Sequence, residues 1–212
     1  MPYYNSQTEK ERASAIKNFV NNNRNSPFAA EAANRLDYLK HTAFLEELYL
    51  ELLEKFPYSS YVKNMGIKLV DFKAMAVGKE APELVMPDIN GTNYRLSDNK
   101  GKHVLVLFSF AFSEPCKNYA VELAPIYHQY SSKGFEVYNV AVDEMEENLQ
   151  LYLDETKAPW PVVSDLLGQK STAFDYYIAH DFPMSYMIDD KGNITGKFFT
   201  VNDVEDYLKK NL

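Results

Sequence analysis

Sulfur chemistry in this chain rests on one residue. Cys116 is the only cysteine in 212 residues, and it closes the string Ser113-Glu114-Pro115-Cys116. A serine before a break and a proline at an early helical position are helix-start signals, so Cys116 is expected in the first turn of a helix. Unpaired backbone N–H groups and the positive end of the helix dipole favour a thiolate there. A thiolate can enter disulfide exchange, whereas a serine hydroxyl at this spacing stays protonated and cannot. Each residue also has a reading without chemistry. Cys116 can be a small buried apolar side chain, and Ser113 an ordinary helix N-cap. A single cysteine excludes an internal disulfide and any multi-cysteine metal site. His41, His103, His128 and His180 are scattered without metal-ligand spacing. There is no glycine-rich phosphate loop and no serine nucleophile elbow, and no cofactor is expected.

A strand and a helix must hold this turn. Residues 103–110 form a run of Val, Leu and Phe of buried-strand length, too short for a helix of its own. After the Ser113-Glu114-Pro115 break, Tyr119, Leu123, Ile126, Tyr127 and Tyr130 recur with helical period. Upstream, strands over 84–86 and 93–96 flank the hairpin signal Asn90-Gly91. Downstream, 135–142 reads as the next strand, joined by a right-handed crossover. Asp143 is expected to cap a helix carrying Met145, Leu149, Leu151, Tyr152 and Leu153, with Glu144, Glu146 and Glu147 favoured by the dipole near its start. Val162-Val163 is a short strand and 171–178 a short helix. Strands over 184–188 and 197–200 close the sheet around Gly192, and a last helix over 204–210 is capped by Asn202. This alternation predicts an α/β fold with a mixed central sheet.

Residues 1–76 read differently, as an α-helical lobe. Ser6 and Glu9 form a capping box ahead of an apolar face of Ile16, Phe19 and Val20. A second helix carries Phe28, Ala32, Leu36 and Leu39. A third, from near Thr42, carries Leu45, Leu48, Tyr49, Leu52, Leu53 and Phe56, and a fourth spans 61–75. The expected division is therefore a lobe over 1–76 and a second domain over 77–212.

Composition narrows the function classes. Hydrophobic residues make up 46 % of the chain, enough for a sizeable core and too many for disorder. A net charge of −8 without a basic cluster argues against nucleic-acid binding. No apolar run is long enough to span a membrane, and the opening MPYYNSQTEKERAS has neither the basic start nor the apolar stretch of a signal peptide.

The stretch GKHVLVLFSFAFSEPCKNYAVELAPIYHQYSSKGFEVYNVAVD resembles the core of the TlpA/ResA branch of thioredoxin-like thiol–disulfide oxidoreductases, within the AhpC/TSA–redoxin superfamily. Gly78-x-x-Ala81-Pro82, Trp160-Pro161, Pro183, Ile188-Asp189 and the turn through Gly192 extend the resemblance over 78–212. It implies a thioredoxin-like fold and thiol–disulfide exchange in a bacterial envelope or periplasm. Related envelope proteins often carry an extra N-terminal β domain and a lipoprotein signal, and their absence here is compatible with a fragment of a longer protein.

The resemblance also exposes departures. The family's CxPC is Ser113-Glu114-Pro115-Cys116, so Cys116 takes the resolving position and the attacking cysteine is a serine. The acid and proline that follow CxPC are Tyr119 and Val121, and the FWASW lead-in is Phe108-Ser109-Phe110-Ala111-Phe112. By resemblance Pro183 is a cis proline facing the turn, with Phe182 narrowing a groove in which Glu114, Pro115, Phe182 and Pro183 contact a protein thiol or a protein partner. His180 is a further residue that can line it. Three functions follow: a protein of weak monothiol or lost dithiol activity, a non-catalytic binding module, or a one-cysteine peroxidase with Cys116 as peroxidatic thiol. The third needs a cation near the sulfur. The four arginines, Arg12, Arg24, Arg35 and Arg95, all precede Cys116.

Overall fold

The computed structural model describes residues 6–179, 182–198 and 200–212, apart from the side chains of Ser6, Gln7, Leu39, Asp175 and Phe198. The expectations placed on the Ser6 capping side chain, Leu39 and His180 lie outside the described residues. The chain divides into two compact units, Met1–Ala76 and Val77–Leu212.

The first unit contains α1 (Ser6–Asn22), α2 (Phe28–Ala33), α3 (Tyr38–Lys55) and α4 (Ser60–Ala74). Leu45, Leu48 and Leu52 recur on one face of α3 and are buried with Val20, Val62, Met65 and Leu69. His41 breaks helical geometry inside α3, which puts the regular helix near the expected start at Thr42. The second helix is shorter than its apolar residues suggested. It ends at Ala33, and Leu36 reaches the core from the turn that follows. Its buried face is Ala29, Ala30 and Ala33, while Phe28 and Phe19 face outward. Small residues let this one-and-a-half-turn helix approach its neighbours closely, leaving the aromatic rings no place inside.

The second unit opens with a hairpin of β1 (Val85–Pro87) and β2 (Asn93–Arg95), where Gly91 takes the positive φ that the turn requires. The main sheet has the order β5-β4-β3-β6-β7. Its centre is β3 (His103–Ser109), parallel to β4 (Phe135–Ala141) and antiparallel to β6 (Met184–Ile188). Strand β5 (Val162–Val163) lies beyond β4 and β7 (Ile194–Phe198) beyond β6. Central β3 is buried on both faces, which is why it reads as a continuous apolar run.

Helices α5 (Glu114–Tyr130), α6 (Glu146–Thr156), α7 (Thr172–Tyr177) and α8 (Val201–Asn211) complete the unit. Tyr119, Ala120, Leu123 and Tyr130 of α5 pack into a core with Leu105, Leu107, Phe135, Val137, Val204 and Leu208. This is an α/β thioredoxin-like architecture.

Three expected boundaries moved. β7 begins at Ile194 because the Asp189 carboxylate accepts from the Lys191 and Asn193 amides and closes a tight turn around Gly192. α8 starts at Val201 and is capped by Thr200, whose hydroxyl accepts from the Asp203 amide at 3.2 Å, in place of Asn202. The N-cap of α6 is Met145, and Asp143 turns inward.

Candidate functional site

The parallel pairing of β3 with β4 places the loops that leave both strands at one end of the sheet. Antiparallel β6 begins there as well, since Met184 pairs with Phe108. The residues singled out by sequence therefore converge by register. Ser113, Glu114, Pro115 and Cys116 follow β3, while Phe182 and Pro183 lead into β6. The Phe182–Pro183 peptide is cis.

Cys116 lies in the first turn of α5 and is 0 % exposed. Ser113 occupies the N-cap position with extended backbone, but its hydroxyl makes no capping bond. It acts instead to lower the pKa of the Cys116 thiol, and the absent capping bond corrects the expectation that capping is its role. Pro115 is half-buried in the same turn, and Glu114 projects into solvent with its carboxylate 3.2 Å from Lys117 Nζ. Lys117 also pairs with Glu155, so its charge is directed toward α6. Phe182 packs against the core cluster that contains Cys116 and lies 6.0 Å, ring to ring, from Phe174. Two further aromatics flank the turn: Phe110 and Phe112 are partly exposed and meet edge to face at 6.0 Å.

Burial pushes the Cys116 thiol up, opposed by the Ser113 hydroxyl and the Phe110 backbone and reinforced by the charge of Asp143. Position at a helix N-terminus favours a thiolate, but desolvation is the larger effect here.

Asp143, just beyond β4, is expected to cap the next helix but is fully buried, and the cap is Met145. Its Oδ2 accepts from the Ala111 amide at 3.1 Å, whereas Oδ1 has no hydrogen-bond partner. Burial raises its pKa. The sequence signal available for it, an acid ahead of a helix, is shared by many N-caps and pointed elsewhere. Beside it lies a polar network centred on Asn139. The Asn139 amide donates to Ser109 Oγ at 2.8 Å and to the Leu107 carbonyl at 3.3 Å, and its oxygen accepts from Tyr152 and Trp160. On the other side of β3, Tyr119 and Ser185 join α5 to β6 through their hydroxyls, 3.4 Å apart.

The remaining candidates lie apart from the turn in role. His103 Nδ1 meets the Tyr207 hydroxyl at 2.9 Å, and Arg95 is exposed on β2. No cluster of His, Cys, Asp and Glu able to hold a metal occurs among the described residues. No helix among them is long and apolar enough to cross a membrane.

Residues 77–197 match the AhpC/TSA family. The thiol-disulfide oxidoreductase ResA of Bacillus thuringiensis (strain Al Hakam) is 31 % identical over 143 residues, covering 66 % of this chain and 81 % of that protein. ResA of Geobacillus kaustophilus is 29 % identical over 166 residues, covering 76 % and 91 %. Among solved structures, the thioredoxin domain of a thiol-disulfide oxidoreductase from Bacteroides vulgatus superposes with a TM-score of 0.60 at 30 % identity, covering 64 % of this chain and 97 % of that domain.

Proposed function

The chain belongs to the AhpC/TSA family, as a ResA-like member with a thioredoxin fold, and from that premise we propose that it has lost dithiol exchange and holds a protein segment at the retained groove. The observation that carries this reading is the complete burial of Cys116, the only cysteine, with a serine at position 113. In a dithiol cycle an exposed thiolate attacks a substrate disulfide, forms a mixed disulfide and expels one substrate thiolate. A second thiolate then attacks the enzyme's first sulfur, the mixed disulfide breaks, and the other substrate thiolate leaves. Ser113 supplies no sulfur for the first step. Cys116 can form a mixed disulfide only if the pocket opens, and its resolution then needs an external thiol. Residual redox activity is thus slow and monothiol.

The site residues take binding roles in this reading. Glu114 stands at the mouth as a charge, Pro115 and Pro183 present surfaces without N–H donors, and Phe182 forms an apolar wall. The partner is a protein segment or protein thiol, and the envelope or periplasm is the compartment in keeping with the family resemblance. Peroxidase activity is disfavoured because no arginine follows Cys116.

Dithiothreitol-dependent insulin reduction tests the proposal on wild type and Ser113→Cys. Wild type is expected to stay at the uncatalysed rate. Mass spectrometry after mild oxidation should show Ser113→Cys losing two hydrogens, since cysteines spaced in this way at a helix start can meet disulfide geometry. Robust insulin reduction by wild type would overturn the proposal.

A further inference from the structure

The two loops that leave β3 and β4 run side by side. The Val142 amide donates to the Ser109 carbonyl at 2.8 Å, and the Ala111 amide donates to Asp143 Oδ2 at 3.1 Å. Ala111 and Asp143 are buried where the loops meet, and the side chains next to them are exposed: Phe110 and Phe112 on one loop, Glu144 and Met145 on the other. Glu144 lies over Gly168, where an added Cβ would stand 2.6 Å from its Cγ, so the exposed Leu167 borders the same surface. Phe112 is 57 % and Met145 53 % exposed. Apolar side chains scattered singly in water are ordinary. Two aromatics and a methionine held together by paired loops are a patch of the kind that binds a partner.

The charge around this patch selects the partner. Glu146 and Glu147 follow Met145 in the first turn of α6, and neither they nor Glu144 pair with a lysine or arginine among the described residues. The helix dipole favours carboxylates at that position, but it does nothing for the exposed rings beside them. Glu114, at the start of α5, is exposed as well. Against these acids stand Lys117, shared between Glu114 and Glu155, and the exposed Lys170. A second copy of this chain would set like charges against each other here, and so would nucleic acid or an anionic lipid surface. A cationic occupant gains from both features.

We propose that the segment held at this site is cationic and apolar at once. Its aromatic or aliphatic side chains rest on Phe110, Phe112 and Met145, and flanking lysines or arginines face Glu144, Glu146 and Glu147. The thioether adapts to side chains of different shape, and the aromatic faces attract cations, so both kinds of group find contacts here. This rests on the reading of the groove as a protein-binding site and adds the chemistry of what it holds. No sulfur takes part, so the two ideas fail separately. Insulin reduction by wild type would restore dithiol exchange without changing a peptide preference, and a preference of the wrong sign would leave the loss of dithiol exchange standing.

The test titrates short cysteine-free peptides into the isotope-labelled full chain, with affinity read by calorimetry and location by amide NMR shifts. One peptide has leucine and phenylalanine at its centre and two lysines on each side. A second carries glutamates in place of the lysines, and a third carries serines in place of leucine and phenylalanine. The first is expected to bind about tenfold more tightly than either of the others, to shift the amides of 110–112 and 144–147, and to weaken as salt rises. Phe112→Ser removes an exposed ring and should weaken the first peptide about tenfold. Glu146→Gln combined with Glu147→Gln should weaken it about threefold and flatten the salt dependence. Glutamate or serine peptides that bind as well as the first overturn the proposal. So do shifts confined to other surfaces, absence of binding by all three peptides, or a Phe112→Ser chain that binds the first peptide as wild type does. The comparison of peptides on wild type depends on no variant folding.

Discussion

In the helical unit the fully buried side chains among the described residues include Val20, Leu45, Leu48, Leu52, Val62, Met65 and Met75, with alanines between them. The α/β unit buries an aliphatic core of the same kind, and beside it Ser109, Asn139, Asp143, Thr156, Ser164, Ser171 and Ser185. Ion pairs in the helical unit sit at its surface, as where Arg24 joins Glu47 and Glu51. The contrast is instructive because buried polar groups stabilise little and are costly when unpartnered. The first unit is built for packing alone. In the second, Ser109, Asn139, Tyr152 and Trp160 share a buried hydrogen-bond network beside the core, and Asp143 keeps one oxygen without a partner.

Alkaline pH should separate the units most strongly. In the α/β unit, Tyr119 is pushed up to about 12 by burial, Tyr127 to about 12 by burial and the charge of Glu136, and Tyr138, Tyr152 and Tyr177 are raised further, chiefly by burial. In the helical unit the corresponding residue is Tyr38. A raised folded pKa gives stability that is complete below the unfolded value, near 10, and is lost as pH rises through the folded value. Each well-buried tyrosine among these removes up to about 1.4 kcal/mol per pH unit in that window, and the half-exposed Tyr127 less because solvent screens it. Circular dichroism, with Trp160 fluorescence reporting on the α/β unit, should show that unit unfolding first. Simultaneous loss of both units would break the comparison.

Asn139→Ala should have a smaller effect, confined to the α/β unit. It leaves the Tyr152 hydroxyl and the Trp160 N–H short of an acceptor, at about 1–3 kcal/mol for a buried group left unpaired. Chemical denaturation followed by Trp160 fluorescence measures it. A loss below about 0.5 kcal/mol would mean the network is no more than packing.

Arg24→Ala should matter least. Its pairs with Glu47 and Glu51 lie at the surface, and exposed pairs are worth about 0.2–1 kcal/mol. Hydrogen exchange of α3 amides in the full chain should change by no more than that amount, and should weaken further with salt. A larger effect would assign the ring of Phe44, 5.8 Å from the guanidinium, a packing role.

Local pattern made much of the fold readable. A both-faces-buried strand needs a continuous apolar run, and 103–109 has one. A helix start needs serine and proline in a particular order, and 113–115 has them. The Leu45, Leu48 and Leu52 spacing likewise announces a helix with one buried face. What misled was local ambiguity. Phe28 is apolar yet 59 % exposed, because α2 fits its neighbours through alanine. Asn202 and Thr200 are both good caps, and the chain's exit from β7 chose Thr200.

By itself the sequence determined that this chain has a single cysteine at a helix start, on a strand–turn–helix, with a serine three residues before it. Those properties follow from residue type and from periods of two and 3.6, which are local. Only the tertiary structure decided that Cys116 is sealed from solvent, that Ser113 makes no capping bond, and that Asp143 is buried. Each of these depends on β4 and α6 closing over the loop from β3. A side chain's dielectric surroundings and charged neighbours come from residues distant in sequence, so the same aspartate before a helix is a surface cap in one fold and a buried charge in another.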